Sequence, residues 1–319
     1  MHRRCVVLPA QVGIHDVAAG RTASRGRRPF ANRDAGDTSG ESGVAAVCMT
    51  GGGLVLRLGV MLVALLALAA LLAPWIAPAG PNAQDILARL HPPTVQHWLG
   101  TDNFGRDVLT RVLFGLRTLF VVSALSVLGA LALGGSLGLL AAWHGGVVDR
   151  VVMRLIDVLF AFPIILLAIG VIAVLGPGAS SAAAAIGVAY VPIFARTLRG
   201  PALQLRWSEY VEAARAIGAG TPRILLRHLL PNLASIIFVQ ASLSLSTAIL
   251  VEASLSFLGL GTQPPTPSLG RMLAESRNFL TLSPWPAAFS GAAILLASLG
   301  FNLLGDGLAE RLDPRLRGT

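Results

Sequence analysis

An arginine-rich polar island lies between two strongly apolar segments of this chain, reading EYVEAARAIGAGTPRILLRHLLP from Glu209 to Pro231. Its residue types offer recognition chemistry rather than bond-making chemistry. Glu212 supplies a carboxylate, and Arg215, Arg223 and Arg227 supply planar charged forks that suit carboxylates or carbonyl oxygens. Ala213, Ala214 and Ala216 are small enough to let another backbone come close. Tyr210 to Ile217 is rich in helix formers, whereas Gly218, Gly220, Thr221 and Pro222 break the run with positive-φ freedom and a fixed-φ restart. The pattern predicts a short helix, a turn and a second short helix, forming a rigid knob that can plug into a partner. Arginines alone would mark any cytoplasmic loop of a membrane protein. The register is more particular: Glu212, Ala213 and Ala214 are followed four residues later by Gly218, and then by Leu230 and Pro231.

Further polar groups interrupt the apolar segments. Gln240, Ser242, Ser244, Ser246 and Thr247 recur along one of them, and in a bilayer such groups must face protein or water. One reading is a solute path walled by Gln240, Ser244 and Thr247. The other is hydrogen bonding between helices, which Ser and Thr provide in most bundles. For Asp157 and Glu252, ion pairing with Arg154 or with a partner chain is expected ahead of solute contact. No GxxxxGK[ST] loop, HExxH, GxSxG or Cys/His ligand spacing is present, so neither nucleotide hydrolysis nor a familiar hydrolytic or metal chemistry is predicted. Cys5 and Cys48 both precede the apolar region.

The elements that must position these groups follow from composition. With 54% hydrophobic residues, 13% charged residues and a mean hydropathy of +0.70, the chain is an integral membrane protein. All 25 basic residues are arginine, a bias from which no function is drawn. The net charge of +9 is spread over loops rather than gathered in a basic domain with interleaved aromatics, which argues against nucleic acid. Six runs approach the roughly 20 residues needed to cross a bilayer: Leu54 to Ile76, Leu119 to Trp143, Val151 to Leu175, Ser181 to Leu198, Leu233 to Leu255 and Pro286 to Leu304. The fourth is short and Ala-rich and is expected to pack inside the bundle. Pro163 and Pro192 are expected to kink the third and fourth.

Sidedness follows from arginine. After residue 50, the flanks and loops on the side of the Glu209 to Pro231 island hold twelve arginines and the opposite loops six, so the island and both termini are expected in the cytoplasm. Ala77 to Arg117 then lies outside, with Asp102, Arg106 and Asp107 in a polar cluster that needs water or protein partners. Residues 1 to 50 are polar and rich in Gly, Ser and Arg, and are expected to be a disordered tail rather than a secretory signal. Met49 offers an alternative start, since MTGGGLVLRLGVMLVALL would open a membrane protein in the usual way.

Together with the island, HWLGTDNFGRDVLTRVLFGLRTLF, FLGLGTQPPTPSLGRML and NLLGDGLAERLDPRLRG resemble the dipeptide/oligopeptide/nickel branch of ABC-importer permeases, in particular its DppC/OppC-like subunit. The island resembles that family's EAA loop, with His228 where an aliphatic residue is usual. The resemblance runs from about residue 55 to the end. It implies an all-α membrane protein with six transmembrane helices in the type I, MetI-like permease bundle. It divides the chain into a first helix with an extracytoplasmic segment (51–117), a permease domain (118–310) carrying the loop (206–231), and a cytoplasmic tail (311–319).

The same resemblance implies a transport subunit, not an enzyme, working by alternating access in a bacterial cytoplasmic membrane. It implies two ABC ATPase subunits, a second DppB/OppB-like permease and an extracytoplasmic solute-binding protein as partners, within membrane lipid. The ATPase-docking residues would be Glu212, Ala213, Ala214, Arg215, Gly218, Arg223, Leu230 and Pro231. ATP and Mg would be used by the partner subunits, with no cofactor bound by this chain. Cargo could be di- or oligopeptides, nickel chelates or another solute of the branch. A secondary carrier is the competing class; it would need no docking loop and often shows inverted repeats, and none is visible.

Overall fold

A computed structural model describes residues 52–78 and 80–312. The expectations for residues 1–50, for both cysteines, for a start at Met49 and for the tail beyond residue 312 lie outside these residues. Eleven α-helices occur among the described residues: α1 (Gly52–Leu71), α2 (Ala73–Ile76), α3 (Val108–His144), α4 (Gly146–Phe160), α5 (Ile164–Leu175), α6 (Ala179–Leu205), α7 (Glu209–Ala216), α8 (Thr221–Ile224), α9 (Leu230–Phe257), α10 (Leu269–Ser276) and α11 (Trp285–Leu312). No strand occurs among them.

Five stretches are long and apolar enough to cross a bilayer: α1, α3, α6, the continuous run Thr221–Phe257, and α11. The third expected span, Val151 to Leu175, is not one helix. It divides into α4 and α5, which meet at 93°. A proline kink was expected here, but the chain breaks outright. Pro163 has φ −55° and ψ 135° and stands as the N-cap of α5, while the residue before a proline is pushed out of the α region, so the helix ends at Phe160. In α6, by contrast, helix runs on through Pro192 and Pro201.

The Ala-rich α6 is the most buried of the candidate spans, as its small side chains predict. It packs most extensively against α3. The reason lies in α3: a Cβ at Gly134 would stand 2.3 Å from the Val191 carbonyl oxygen, and one at Gly138 2.4 Å from that of Ala195. Two glycines four residues apart thus bring the helix backbones together. Gly138→Val should force α3 and α6 apart and cost about 1–3 kcal/mol, as overpacking does, read as a lower thermal inactivation temperature in detergent. Gly129→Ala, with nothing within 4 Å of the new methyl, is the control and should be neutral.

At 37 residues α3 is about 55 Å long, well beyond a hydrocarbon core of about 30 Å. Its N-terminal end therefore projects, capped by Asp107, whose carboxylate accepts from the Thr110 amide and hydroxyl, both at 2.8 Å. There the expected polar cluster finds protein partners. Arg106 donates to Asp102 at 2.6 Å and to Glu275 of α10 at 3.0 Å, and Arg111 lies 3.6 Å from Asp102. His97 and Asp107 pair at 3.1 Å.

Candidate functional site

The island folds as a helix, a turn and a helix, but the second helix does not stop. Glu209 and Glu212 occupy the first turn of α7 and Arg215 the last, the order that the helix dipole favours. At its end Gly218 adopts φ +80°; its N–H donates to the Arg215 carbonyl at 2.9 Å, and the Ala219 N–H donates to that of Ala214 at 3.0 Å. This is the Schellman arrangement, whose left-handed residue is usually glycine. Pro222 then opens α8, and a π turn over Leu225–Leu229 carries the chain into α9. Pro231 explains that turn: it has no N–H to donate and its ring would press on the preceding helical turn, so the wider turn accommodates it. The fifth span therefore begins at the loop itself and not at Leu233.

One side of the loop is packed into the bundle. Val211, Ala214, Ile224 and Leu229 are buried against Ala142 of α3 and Leu198 and Ala202 of α6. Trp143 braces the turn, because its indole N–H donates to Thr221 Oγ1 at 3.2 Å and the Arg215 guanidinium lies 4.5 Å above its ring. His228 stands 6.5 Å from the Tyr210 ring, and Asn232 donates to the His228 carbonyl at 2.6 Å. That fits an interfacial side chain rather than a ligand.

The expected docking residues thus divide. Glu212, Ala213, Gly218, Arg223 and Pro231 are exposed, Leu230 and Arg215 half-buried, and Ala214 buried. Ala214 and Arg215 also hold the loop to its own bundle. Ile217, 85% exposed beside Gly218, is an apolar tip that the residue spacing did not single out.

Along α9, Gln240, Ser244 and Thr247 share a face at helical spacing. Gln240 donates to Ser244 at 3.1 Å, and Thr247 bonds the Leu243 and Ser244 carbonyls at 3.2 and 3.1 Å. Ser246 donates to the Ser298 carbonyl of α11 at 2.8 Å, which is the bonding between helices given as the alternative.

Asp157 departs from one of its two expected pairings. Asp157 pairs with Arg196 of α6 at 2.5 Å, not with Arg154, and Arg196 also lies over the Phe160 ring at 4.1 Å. Arg199 grips Asp149 with two bonds of 2.6 Å. The near right angle between α4 and α5 lays α4 across α6, so α4's acids meet arginines of another helix. Glu252 is buried and accepts from Ser256 at 2.8 Å.

A bundle of apolar spans, carrying between two of them a rigid polar knob anchored on one side and open on the other, defines a membrane component that receives a partner. The family described as binding-protein-dependent transport system inner membrane component matches residues 134–318, and the N-terminal TM domain of oligopeptide transport permease C matches residues 57–93. The chain belongs to the former family and is an ABC-importer permease subunit, not itself an enzyme. It is similar to the dipeptide transport system permease protein DppC of Alkalihalophilus pseudofirmus, 43% identical over 259 residues that cover 81% of this chain and 85% of that one. It is also similar to the glutathione transport system permease protein GsiD of Escherichia coli, 46% identical over 259 residues that cover 81% and 86%.

Proposed function

We propose that this chain is one of two permease subunits that together pass short peptides, or glutathione-like peptide conjugates, across a bacterial cytoplasmic membrane by alternating access. The relatives' names supply the peptide class. The observation that carries the mechanical part is the two-sided loop: a knob with Val211, Ala214, Ile224 and Leu229 buried moves with the bundle, while Glu212, Ala213, Gly218 and Arg223 stay free to be gripped. Because the turn after Gly218 leads into a helix that runs unbroken to Phe257, a push on the loop reaches the fifth span without a flexible joint. Two ATPase subunits deliver that push, using ATP and Mg that this chain does not bind, and an external binding protein delivers the solute. The loop and both termini lie in the cytoplasm, and a second permease completes the path beside Gln240, Ser244 and Thr247.

The test is to purify the tagged chain from membranes in mild detergent, with a Glu212, Gly218 double variant beside it. Wild type should bring down ATPase subunits and a second permease, and the variant should lose the ATPase. Its co-purified binding protein should then bind dipeptides or glutathione in calorimetry. Identical partners for both chains would refute the docking assignment, and a binding protein indifferent to peptides would refute the cargo.

A further inference from the structure

Between α3 and α9, at the end of the bundle that carries the loop, runs a groove of about 540 Å³ whose walls include Leu131, Leu139, Leu198, Leu226, Leu230 and Phe238. Its walls are apolar save for Ser136, whose hydroxyl is already spent on the Leu133 carbonyl at 2.9 Å. Ser136 is the one lining side chain that can still hydrogen-bond, and only as an acceptor. Trp143, one turn from the lining residue Leu139 on α3, is bonded to Thr221 at 3.2 Å, and indoles of this kind gather at the membrane surface. Arg227 is exposed and precedes the lining residues Leu230 and Pro231 at helical spacing. No acidic residue stands between Thr221 and Ser235 to neutralise it.

We propose that this groove holds one acyl chain of a phospholipid whose anionic headgroup is bound by Arg227. The two halves of the site answer the two halves of such a molecule. Apolar walls suit a chain of methylenes, which asks no hydrogen bond of them. Arginine forks suit phosphate oxygens, and their stems reach along apolar surface while the heads stay at the interface. Basic pockets between spans are a recognised way of selecting anionic lipid. The lipid would sit against the π turn, where the loop joins the fifth span, and so bear on the element that transmits movement.

The experiment uses the permease purified with its partner subunits and exchanged into micelles containing equal amounts of phosphatidylglycerol and phosphatidylcholine, with retained lipid read by native mass spectrometry. Wild type should keep phosphatidylglycerol preferentially. Arg227→Gln should weaken that preference roughly fivefold, the worth of one surface arginine. Ala234→Phe, which fills the groove wall, should lose the retained lipid while still co-purifying with the ATPase. Equal retention of the two lipids by wild type, or unchanged retention by Ala234→Phe, would overturn the proposal. So would loss of the second permease from Ala234→Phe with lipid unchanged, since the occupant would then be protein. Should Ala234→Phe fail to assemble, Arg227→Gln decides alone, because that side chain is exposed and its loss disturbs no packing.

Discussion

Gly218→Val is expected to abolish uptake while leaving the protein in the membrane at normal abundance. Gly218 holds φ +80° at the end of α7, and a side chain there is strained whatever space surrounds it. The left-handed conformation costs a residue with a Cβ roughly 1–2 kcal/mol, and a β-branched one is a genuine outlier. That cost cannot unfold a bundle whose spans bury their faces elsewhere. It can reset a two-turn helix whose Ala214 and Arg215 carbonyls accept from the Ala219 and Gly218 amides. The loop's tip would move while its anchored side stayed packed. A graded series separates strain from collision with a partner. Nothing lies within 4 Å of a Cβ at Gly218, so within this chain the penalty is conformational alone. Gly218→Asn, which visits the left-handed region more readily, should then retain more uptake than Gly218→Ala if strain dominates. If the partner's surface is the obstacle, the order reverses, because Asn is the larger. Normal uptake by Gly218→Val, at normal membrane abundance, would remove the loop from the mechanism.

How much of this was legible beforehand can be judged residue by residue. The Gly218 turn was readable because positive φ and a helix stop both select glycine, and the sequence places it directly after a run of helix formers. The long spans were readable because twenty apolar residues have few other destinations. The inward turn of Ala214 was not, since Ala213, Ala214 and Ala216 are chemically alike and only the angle at which α7 docks on α6 decides which is buried. The break after Phe160 was half legible: Pro163 marks the place, but whether a proline kinks a helix or ends it depends on packing, as the uninterrupted Pro192 in α6 shows. Ion pairs are poorly encoded for a similar reason. Arg154 lies three residues from Asp157 in sequence, while Arg196 is brought there by the crossing of α4 over α6, which no local spacing encodes. Fold class depends on composition and period, which are local; the partners of buried charges depend on which helices meet.

The largest stability effect is expected at just such a pair. Asp102, in the segment before α3, accepts the amides of Phe104 and Arg106 at 2.8 and 3.0 Å and the Arg106 side chain at 2.6 Å. Arg106 and Arg111 are 12% and 4% exposed, and Nε and Nη1 of Arg111 make no hydrogen bond within the described residues. Asp102 and Glu275 are the two acids facing both guanidiniums, and Arg271 approaches Glu275 as well at 3.2 Å. Asp102→Asn keeps the shape and deletes the charge, leaving two buried arginines to share Glu275. Removing one member of a buried pair costs about 3–5 kcal/mol, because the remaining charge is uncompensated. The segment from Pro81 to Arg106 is tied to the bundle through this hub together with the His97–Asp107 pair, so the cost should appear as local opening there rather than global unfolding. Protease cleavage that follows such opening should accelerate about a hundredfold, the factor corresponding to about 3 kcal/mol. Glu275→Gln should do less, since Glu275 is 24% exposed and water screens what is lost. Limited proteolysis of the assembled permease, following cleavage within residues 81–106, reads both variants at once. Cleavage of Asp102→Asn at the wild-type rate would mean that solvent, rather than Asp102, balances Arg106 and Arg111. The segment would then be held to α3 by its other contacts, among them the His97–Asp107 pair and the bond from the Val108 N–H to the Gly100 carbonyl.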